Sequence, residues 1–247
     1  MSQTLLHKQN WMHPVRWIPP TATSLLDVGC NAGELLQHCR DLFPTMQLAG
    51  VEVNQAALEQ ARLNLPQADL RLSGAQAIPF AESSFDCVTC IEVLEHIPES
   101  LRASSLAEIR RVLRPGGRFI LRVPHAGIFS FLDANNFRFL MPKLYRMTLR
   151  QGRRDAGYLS NSEEVVWHQH FTRKELQELL GDGWEIEASR TGGLLLLPLM
   201  DIASWPFYRL RRTDNMLFRA VQRILDFDMS CDYGRASFDI LLVLKRA

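Results

Sequence analysis

An apolar run that leads through a glycine-punctuated turn into a helical pattern constrains the fold of this chain more than any other feature. The run covers residues 25–28, the turn is Gly29-Cys30-Asn31-Ala32-Gly33, and the helical pattern starts at Glu34. Glycine lets the backbone approach a ligand where a side chain would collide, and the helix that follows points unpaired N–H groups at the same place. The pattern predicts the start of a nucleotide-type cofactor site but leaves the cofactor open.

The same alternation of short apolar runs and helical periodicity continues to residue 123. It predicts strands at 24–28, 48–53, 70–73, 85–91 and 117–123, and helices at 34–42, 54–64 and 101–113. Strands that alternate with helices are typical of βαβ units, so we expect an α/β fold with a parallel sheet. Farther along, a capping-box helix from Thr172, a strand at 184–190 and a closing strand at 238–244 are predicted.

The length and composition favour a single domain. The chain has 247 residues, of which 47% are hydrophobic, enough for one substantial core. Two stretches without a clean period are predicted to be insertions that form a substrate lid. The expected organisation is an N-terminal cover helix at 1–23, a cofactor-binding core at 24–123, lid insertions at 124–165 and 191–233, and sheet-completing segments at 166–190 and 234–247.

Charge and cysteine content exclude several classes of protein. The net charge is +1, from 28 basic and 27 acidic residues, which gives no preference for a nucleic acid. Five scattered cysteines favour a reducing compartment, and residues 1–10 contain no apolar core of signal-peptide length, so a cytoplasmic location is expected. Cys87 and Cys90 lie in one predicted strand and are expected to be buried thiols, with no metal site.

An acidic residue lies near the end of the second predicted strand. Glu52 should emerge at the carboxyl edge of the sheet, beside the glycine turn, where ligands of open α/β sheets bind. A carboxylate has two acceptor oxygens and can bind both hydroxyls of a ribose. The separation of 19 residues between Gly33 and Glu52 also fits a dinucleotide fold, so these features alone leave an NAD enzyme open.

Three later segments discriminate between the cofactors. They are Ser73-Gly74-Ala75-Gln76-Ala77-Ile78-Pro79-Phe80 with the strand after it, Ile91-Glu92-Val93-Leu94-Glu95-His96-Ile97, and Arg111-Val112-Leu113-Arg114-Pro115-Gly116-Gly117. Together with the glycine turn, they make the chain resemble the class I S-adenosylmethionine-dependent methyltransferases. In particular, it resembles the small-molecule subgroup similar to the enzymes of ubiquinone and menaquinone biosynthesis. The resemblance covers about residues 25–123.

The resemblance implies a Rossmann-like, seven-stranded, mostly parallel sheet with an antiparallel last strand and helices on both faces. It also implies S-adenosylmethionine as the cofactor. The turn would hold the amino acid end of the cofactor with help from Asp27. Glu52 would bind the ribose and Val53 would pack on one adenine face. The backbone of Ala75 or Gln76 would contact the adenine edge. The implied cofactor-binding residues are Asp27, Gly29, Cys30, Asn31, Gly33, Glu52, Val53, Ala75, Gln76 and, beside the sulfonium, Ile91.

Two positions depart from the subgroup pattern. Asn31 stands where glycine is usual, and asparagine tolerates a left-handed backbone better than most residues. Gly74 stands where an aspartate usually accepts a hydrogen bond from the adenine amino group. The amide oxygen of Gln76 is a candidate substitute.

Methyl transfer is mainly a matter of positioning, and a base helps only if the acceptor is a hydroxyl. His125 follows the fifth strand and is the candidate catalytic base; the alternative is a loop histidine held by backbone groups. His96 is expected either to line the transfer cavity or to pack beneath the cofactor. His168 and His170 are expected to fix the loop before Thr172, with substrate contact as the alternative.

The insertions contain two composition patterns with open interpretations. A basic set in the first insertion comprises Arg138, Lys143, Arg146, Arg150, Arg153 and Arg154. Its interpretations are a site for a phosphate or carboxylate of the substrate, a solvated helix face, and a nucleic-acid platform, which the lack of basic character in the rest of the chain disfavours. Apolar residues, aromatics and arginines at 194–212 fit packing over the cleft, a second subunit or a peripheral membrane contact. Either of the readings of 194–212 suggests an apolar or lipid-linked acceptor.

The function expected from the sequence is transfer of a methyl group to an oxygen or carbon of a small or lipid-linked molecule. The alternatives are an RNA or protein methyltransferase and a catalytically silent subunit or sensor that binds S-adenosylmethionine. No nucleic-acid partner is expected, and the oligomeric state is not specified. The N-terminal segment with Trp11, His13, Arg16 and Trp17 resembles the helix that covers the cofactor, or is a plain packing helix.

Overall fold

The computed structural model describes residues 12–128, 130, 169–194 and 216–247. The basic set of the first insertion, His168, Trp11 and all of the 194–212 segment except Leu194 lie outside the described residues. The expectations that concern them stay predictions, as does the division into core and lid.

The strands form one seven-stranded sheet. They are β1 (Ser24–Val28), β2 (Gln47–Glu52), β3 (Asp69–Leu72), β4 (Phe85–Ile91), β5 (Leu113–Pro124), β6 (Trp184–Gly192) and β7 (Asp239–Arg246). Their order is β3-β2-β1-β4-β5-β7-β6, and β7 pairs antiparallel with both of its neighbours. The predicted fold class, a mostly parallel sheet with an antiparallel last strand, is confirmed.

The helices begin and end at residues whose side chains or backbone suit those positions. They are α1 (Glu34–Leu42), α2 (Gln55–Asn64), α3 (Glu99–Val112), α4 (Arg173–Leu180) and α5 (Met216–Ser230). The Asn54 side chain caps α2 by accepting from the N–H groups of Ala56 and Ala57. Thr172 and Glu175 form the predicted capping box at the start of α4.

One predicted boundary is wrong. The Arg114-Pro115-Gly116-Gly117 segment was expected to separate a helix from a strand, but β5 already begins at Leu113, directly after α3. Leu113 pairs with Phe85, and pairing resumes with a shifted register at Cys87 and Arg118. The proline and glycines therefore form an irregularity inside the first part of β5, because β5 pairs with β4 both before and after them.

The sheet separates two apolar layers. One contains residues of α3 and α4, including Leu106 and Leu176, and the other contains residues of α1 and α2, including Leu36 and Leu58. Cys87 belongs to the second layer and Cys90 to the first, and both thiols are free and buried, as predicted for positions three apart in a strand. Because both faces are covered, the carboxyl edge of the parallel strands is the place left for a ligand.

Among the described residues, no helix has the length and apolar character needed to cross a bilayer.

Candidate cofactor and substrate site

The glycine turn folds back onto the neighbouring strand β2. The N–H groups of Gly29 and Cys30 both donate to the carbonyl oxygen of Val51, at 2.8 and 3.1 Å. Three residues of the turn are left-handed, with φ of +75° at Gly29, +47° at Asn31 and +82° at Gly33. The left-handed backbone expected at Asn31 is therefore present, which explains why asparagine replaces glycine there.

Both glycines are also required by close packing. A Cβ added to Gly29 would lie 2.3 Å from Cγ2 of Val93, and one added to Gly33 would lie 2.7 Å from Cδ1 of Leu65. The space beside each glycine is thus taken by a side chain of the protein, from the segment after β4 and from the end of α2. The sequence argument invoked only approach to a ligand; the structure adds a packing requirement.

Glu52 ties the glycine turn to the end of β2. One carboxylate oxygen, Oε2, accepts from the N–H of Asn31 at 2.9 Å, while Oε1 accepts from the N–H groups of Val53 and Asn54, both at 2.9 Å. Each carboxylate oxygen has two acceptor sites, so these bonds orient the group without using its whole capacity. Glu52 is half-buried, which leaves it accessible to a hydroxyl-bearing ligand.

Asp27 is the buried acid of the site. Only 4% of the residue is exposed, and its Oδ1 accepts from the hydroxyl of Thr89 in β4 at 2.7 Å. Burial raises the pKa of Asp27 to about 7, against the lowering effect of the Thr89 hydrogen bond, and the charge of Glu52 raises it further. Near neutral pH this carboxyl group is therefore partly protonated and partly ionised, and a nearby cation would stabilise the ionised form.

The remaining residues of the implied cofactor site lie along the same edge. Val53 follows β2 and is 61% exposed, a large exposed fraction for an apolar side chain next to the core. Ala75 and Gln76 belong to a short 3-10 turn, Ala75–Ala77, which follows β3 and is joined to β2 by the bond from the Ser73 N–H to the Glu52 carbonyl at 3.0 Å. Ile91 ends β4 and is half-buried.

A charged pair beyond Ile91 was missed by the sequence reasoning. Glu92 has a left-handed backbone, with φ of +55°, and its Oε1 lies 3.0 Å from Nε of Arg122 in β5. The same Nε lies 3.7 Å from Oδ2 of Asp239, at the start of β7. A non-glycine residue with positive φ is uncommon and concentrates at functional sites. Its sequence signal was an acid at the end of an apolar strand, the signal that also identified Glu52.

His125 lies one residue beyond β5, as predicted, and is held by backbone groups. Its Nδ1 is 3.0 Å from the carbonyl oxygen of Ser237, and its backbone forms a bridge with Phe171. A carbonyl only accepts, so Nδ1 carries the proton and Nε2 is left as the acceptor nitrogen in the neutral ring. This contact corresponds to the alternative of a backbone-held histidine, and it also presents the nitrogen that a base requires.

The two other described histidines have different settings. The His96 side chain is 61% exposed, with Nε2 3.8 Å from Oε1 of Glu95, and both expectations for its role stay predictions. His170 is half-buried beside Gln169, which accepts from Arg102 at 2.6 Å. Gln169 thus connects this loop to Arg102 of α3, and the expectations for His170 stay predictions.

Comparison with known proteins identifies the domain to which this site belongs. Residues 26–121 match the family described as methyltransferase domain. These residues carry the glycine turn, Glu52, the Ala75–Ala77 turn and Glu92. This part of the chain is therefore similar to methyltransferase domains. The cofactor that such a domain implies is S-adenosylmethionine.

Three similar proteins illustrate how far the likeness extends. A ubiquinone biosynthesis O-methyltransferase of Thiobacillus denitrificans is 35% identical over 138 residues, which cover 52% of this chain and 57% of that protein. The structure of a putative sarcosine dimethylglycine methyltransferase from Galdieria sulphuraria has a TM-score of 0.61, with 11% identity and coverage of 98% and 86% of the two chains. The [4+2]-cyclase SpnF has a TM-score of 0.58, with 16% identity and coverage of 98% and 79%. The chain spans about half the length of the curated relatives it matches.

Proposed function

We propose that the protein transfers a methyl group from S-adenosylmethionine to an oxygen or carbon of a small or lipid-linked acceptor. The observation that carries the proposal is the position of Glu52. Its carboxylate is oriented by the N–H of Asn31 from the glycine turn and lies directly before the exposed Val53. The acid Glu52, the apolar side chain of Val53 and the glycine turn thus lie next to one another. A nucleoside with an amino acid tail requires such a combination.

The residues present fit the chemical groups of this cofactor. The Glu52 carboxylate would accept from the ribose hydroxyls, Val53 would contact an adenine face, and Asp27 in its ionised form would balance the ammonium group. When bound, S-adenosylmethionine supplies an activated methyl group whose leaving group is a neutral thioether. The protein's part is then to align acceptor and methyl group, a contribution of about 7–11 kcal/mol in well-oriented systems.

His125 is proposed as the base for a hydroxyl acceptor. A hydrogen bond from Nδ1–H to the Ser237 carbonyl oxygen, at 3.0 Å, leaves Nε2 free of a proton. Nε2 can then take a proton from the hydroxyl of the methyl acceptor. An acceptor that is already anionic, or a nucleophilic carbon, would not require this step.

The class of acceptor is inferred from the relatives. The O-methyltransferases of ubiquinone biosynthesis carry that function in their names, and the methyltransferase-domain match at residues 26–121 includes the candidate cofactor-binding residues. This supports a small, apolar acceptor with an oxygen nucleophile. A peripheral membrane contact through 194–212 stays a prediction on the sequence alone.

A catalytically silent cofactor-binding protein is the second candidate. A structure with the same fold is named a [4+2]-cyclase, so the fold by itself does not require methyl transfer. The two candidates share cofactor binding and differ in turnover.

Calorimetric titration with S-adenosylhomocysteine, the demethylated product, tests the cofactor assignment. Glu52→Gln should weaken binding about 10-fold or more, because hydrogen bonds to a charged group contribute about 1.5–3 kcal/mol. The matched control is Glu59→Gln, which neutralises an exposed acid of α2 that accepts from Gln55. Equal affinity in the two variants would contradict the role of Glu52, and a wild-type protein that binds neither form of the cofactor would overturn the proposed function.

Turnover is then tested with methyl-labelled cofactor and fractionated metabolite extracts. Label in an apolar phenolic or hydroxylated fraction is expected. Binding without labelled product from any fraction would favour the silent protein instead.

A further inference from the structure

Gly74 lies in an extended backbone conformation, with φ of −83° and ψ of 160°. Any residue adopts these angles, so the backbone does not require glycine here. The space beside its Cα, however, is occupied.

That space is filled by the side-chain amide of Gln76. A Cβ added to Gly74 would lie 2.3 Å from Oε1 and 2.7 Å from Nε2 of Gln76. A side chain at residue 74 and the observed conformation of Gln76 therefore exclude each other. The Gln76 amide lies where a side chain of residue 74 would begin.

The backbone of this turn is fixed on several sides. The Ser73 hydroxyl donates to the carbonyl of Ala77 at 2.6 Å, and the N–H of Ile78 donates to Oε2 of Glu108 at 3.0 Å. Arg111 in turn holds Glu108, at 2.7 Å. Ala75 is buried, whereas Gln76 is exposed. The turn therefore presents the Gln76 side chain from a rigid base at the edge that also carries Glu52 and Val53.

We infer that the side-chain amide of Gln76 binds the 6-position of the cofactor's adenine, in place of a side chain at residue 74. The inference rests on the proposed function. An amide has an acceptor oxygen and a donor NH₂ group, whereas an ionised carboxylate only accepts. The Gln76 oxygen can accept from the 6-amino group of adenine. If the side-chain amide rotates so that its NH₂ group takes the place of the oxygen, it can donate to the 6-oxo group of hypoxanthine. The site therefore discriminates less between these bases than one with a carboxylate.

Calorimetric titration with S-adenosylhomocysteine and with its deaminated analogue, S-inosylhomocysteine, tests this role. Gln76→Ala should weaken binding of the adenine ligand about 2- to 12-fold, the effect of one neutral hydrogen bond. Gln76→Glu should retain affinity for S-adenosylhomocysteine. It should raise the ratio of the Kd of S-inosylhomocysteine to that of S-adenosylhomocysteine at least about 10-fold, because a carboxylate repels the 6-oxo group. The matched control is Gln60→Ala on α2, where the side chain donates to Asn64, and it should leave both affinities unchanged.

A rescue variant separates base recognition from a change in the turn. Gly74→Asp in the Gln76→Ala background should restore adenine binding to within about 2-fold of wild type, since the extended backbone at 74 accepts aspartate and the removed amide leaves room. Wild-type affinities for both ligands in Gln76→Ala and Gln76→Glu would overturn the inference while leaving the proposed function intact. A wild-type protein that fails to bind S-adenosylhomocysteine would overturn both.

Discussion

At the scale of single residues, the site depends on backbone conformations that few side chains allow. Gly29, Asn31 and Gly33 are all left-handed, and Glu92 is left-handed at the end of the neighbouring strand β4. Such conformations persist only when the surrounding contacts hold them. In this protein those contacts include the bonds of Glu52 to the turn and of Arg122 to Glu92.

Gly29→Ala is expected to destabilise the protein by about 2–4 kcal/mol, which combines the left-handed backbone with overpacking against Val93. The matched control is Gly116→Ala. Gly116 has the same φ of +75°, but nothing lies within 4 Å of an added Cβ, so only the backbone penalty of about 1 kcal/mol applies. Urea unfolding of both variants measures the difference. Equal losses of stability would show that Val93 does not restrict residue 29.

At the scale of elements, the ends of the helices are fixed by local sequence. In α4, Thr172 Oγ1 accepts from the N–H of Glu175 at 3.2 Å, and Glu175 Oε2 accepts from the N–H of Thr172 at 2.6 Å. These bonds satisfy donors that the first turn of a helix leaves open. The backbone and side-chain bonds from Thr172 lower the pKa of Glu175 below its usual value.

Thr172→Ala is therefore expected to cost about 1 kcal/mol at pH 7. The Glu175 part of this stabilisation is present above the carboxyl's ordinary pKa and is lost as the pH falls through its lowered, folded-state pKa. Urea unfolding at pH 7 and at pH 3 measures both effects. Ser104→Ala, inside α3 where the hydroxyl donates to the Leu101 carbonyl, is the control and should be nearly neutral. A similar loss in both variants would contradict the capping role.

At the scale of the whole molecule, the sheet brings residues from distant segments to one edge. Asp27 in β1, Thr89 in β4 and Glu52 at the end of β2 are separated along the chain and adjacent in the fold. Burial between two covered faces changes the acid–base behaviour of Asp27, which no local pattern specifies. Its pKa rises to about 7, and burial is the largest cause of this rise.

Asp27 gives the protein a pH dependence of defined sign. Its folded-state pKa lies above its unfolded value of 3.8, so the folded state binds the proton more tightly and loses stability as the pH rises from about 4 to about 7. The slope is at most about 1.4 kcal/mol per pH unit. Asp27→Asn, which still accepts from Thr89, should remove this slope in urea unfolding at pH 5 and pH 8.

Cofactor binding should show the opposite trend, because the ionised carboxylate balances an ammonium group. Affinity for S-adenosylhomocysteine should rise between pH 6 and pH 8 in the wild type and stay flat in Asp27→Asn. A slope that persists in the variant would assign the titration to another group.

The sequence by itself determined the seven strands, helices α1 to α4, the caps of α2 and α4 and the acid at the end of β2, because these depend on the periodicity and turn chemistry of neighbouring residues. It did not determine α5, which lies in the stretch 191–233 predicted to be an insertion without a clean period. The misplaced start of β5 shows the limit: pairing with Phe85 and Cys87, 28 and more residues away, decided where that strand begins. Only the tertiary structure decided that Val93 and Leu65 fill the space beside the two glycines, that Arg122 holds Glu92, and that Gln76 takes the place of a side chain at Gly74. Each of these contacts joins side chains through space, and the spacing of residues along a chain does not specify which distant side chain packs against a given atom.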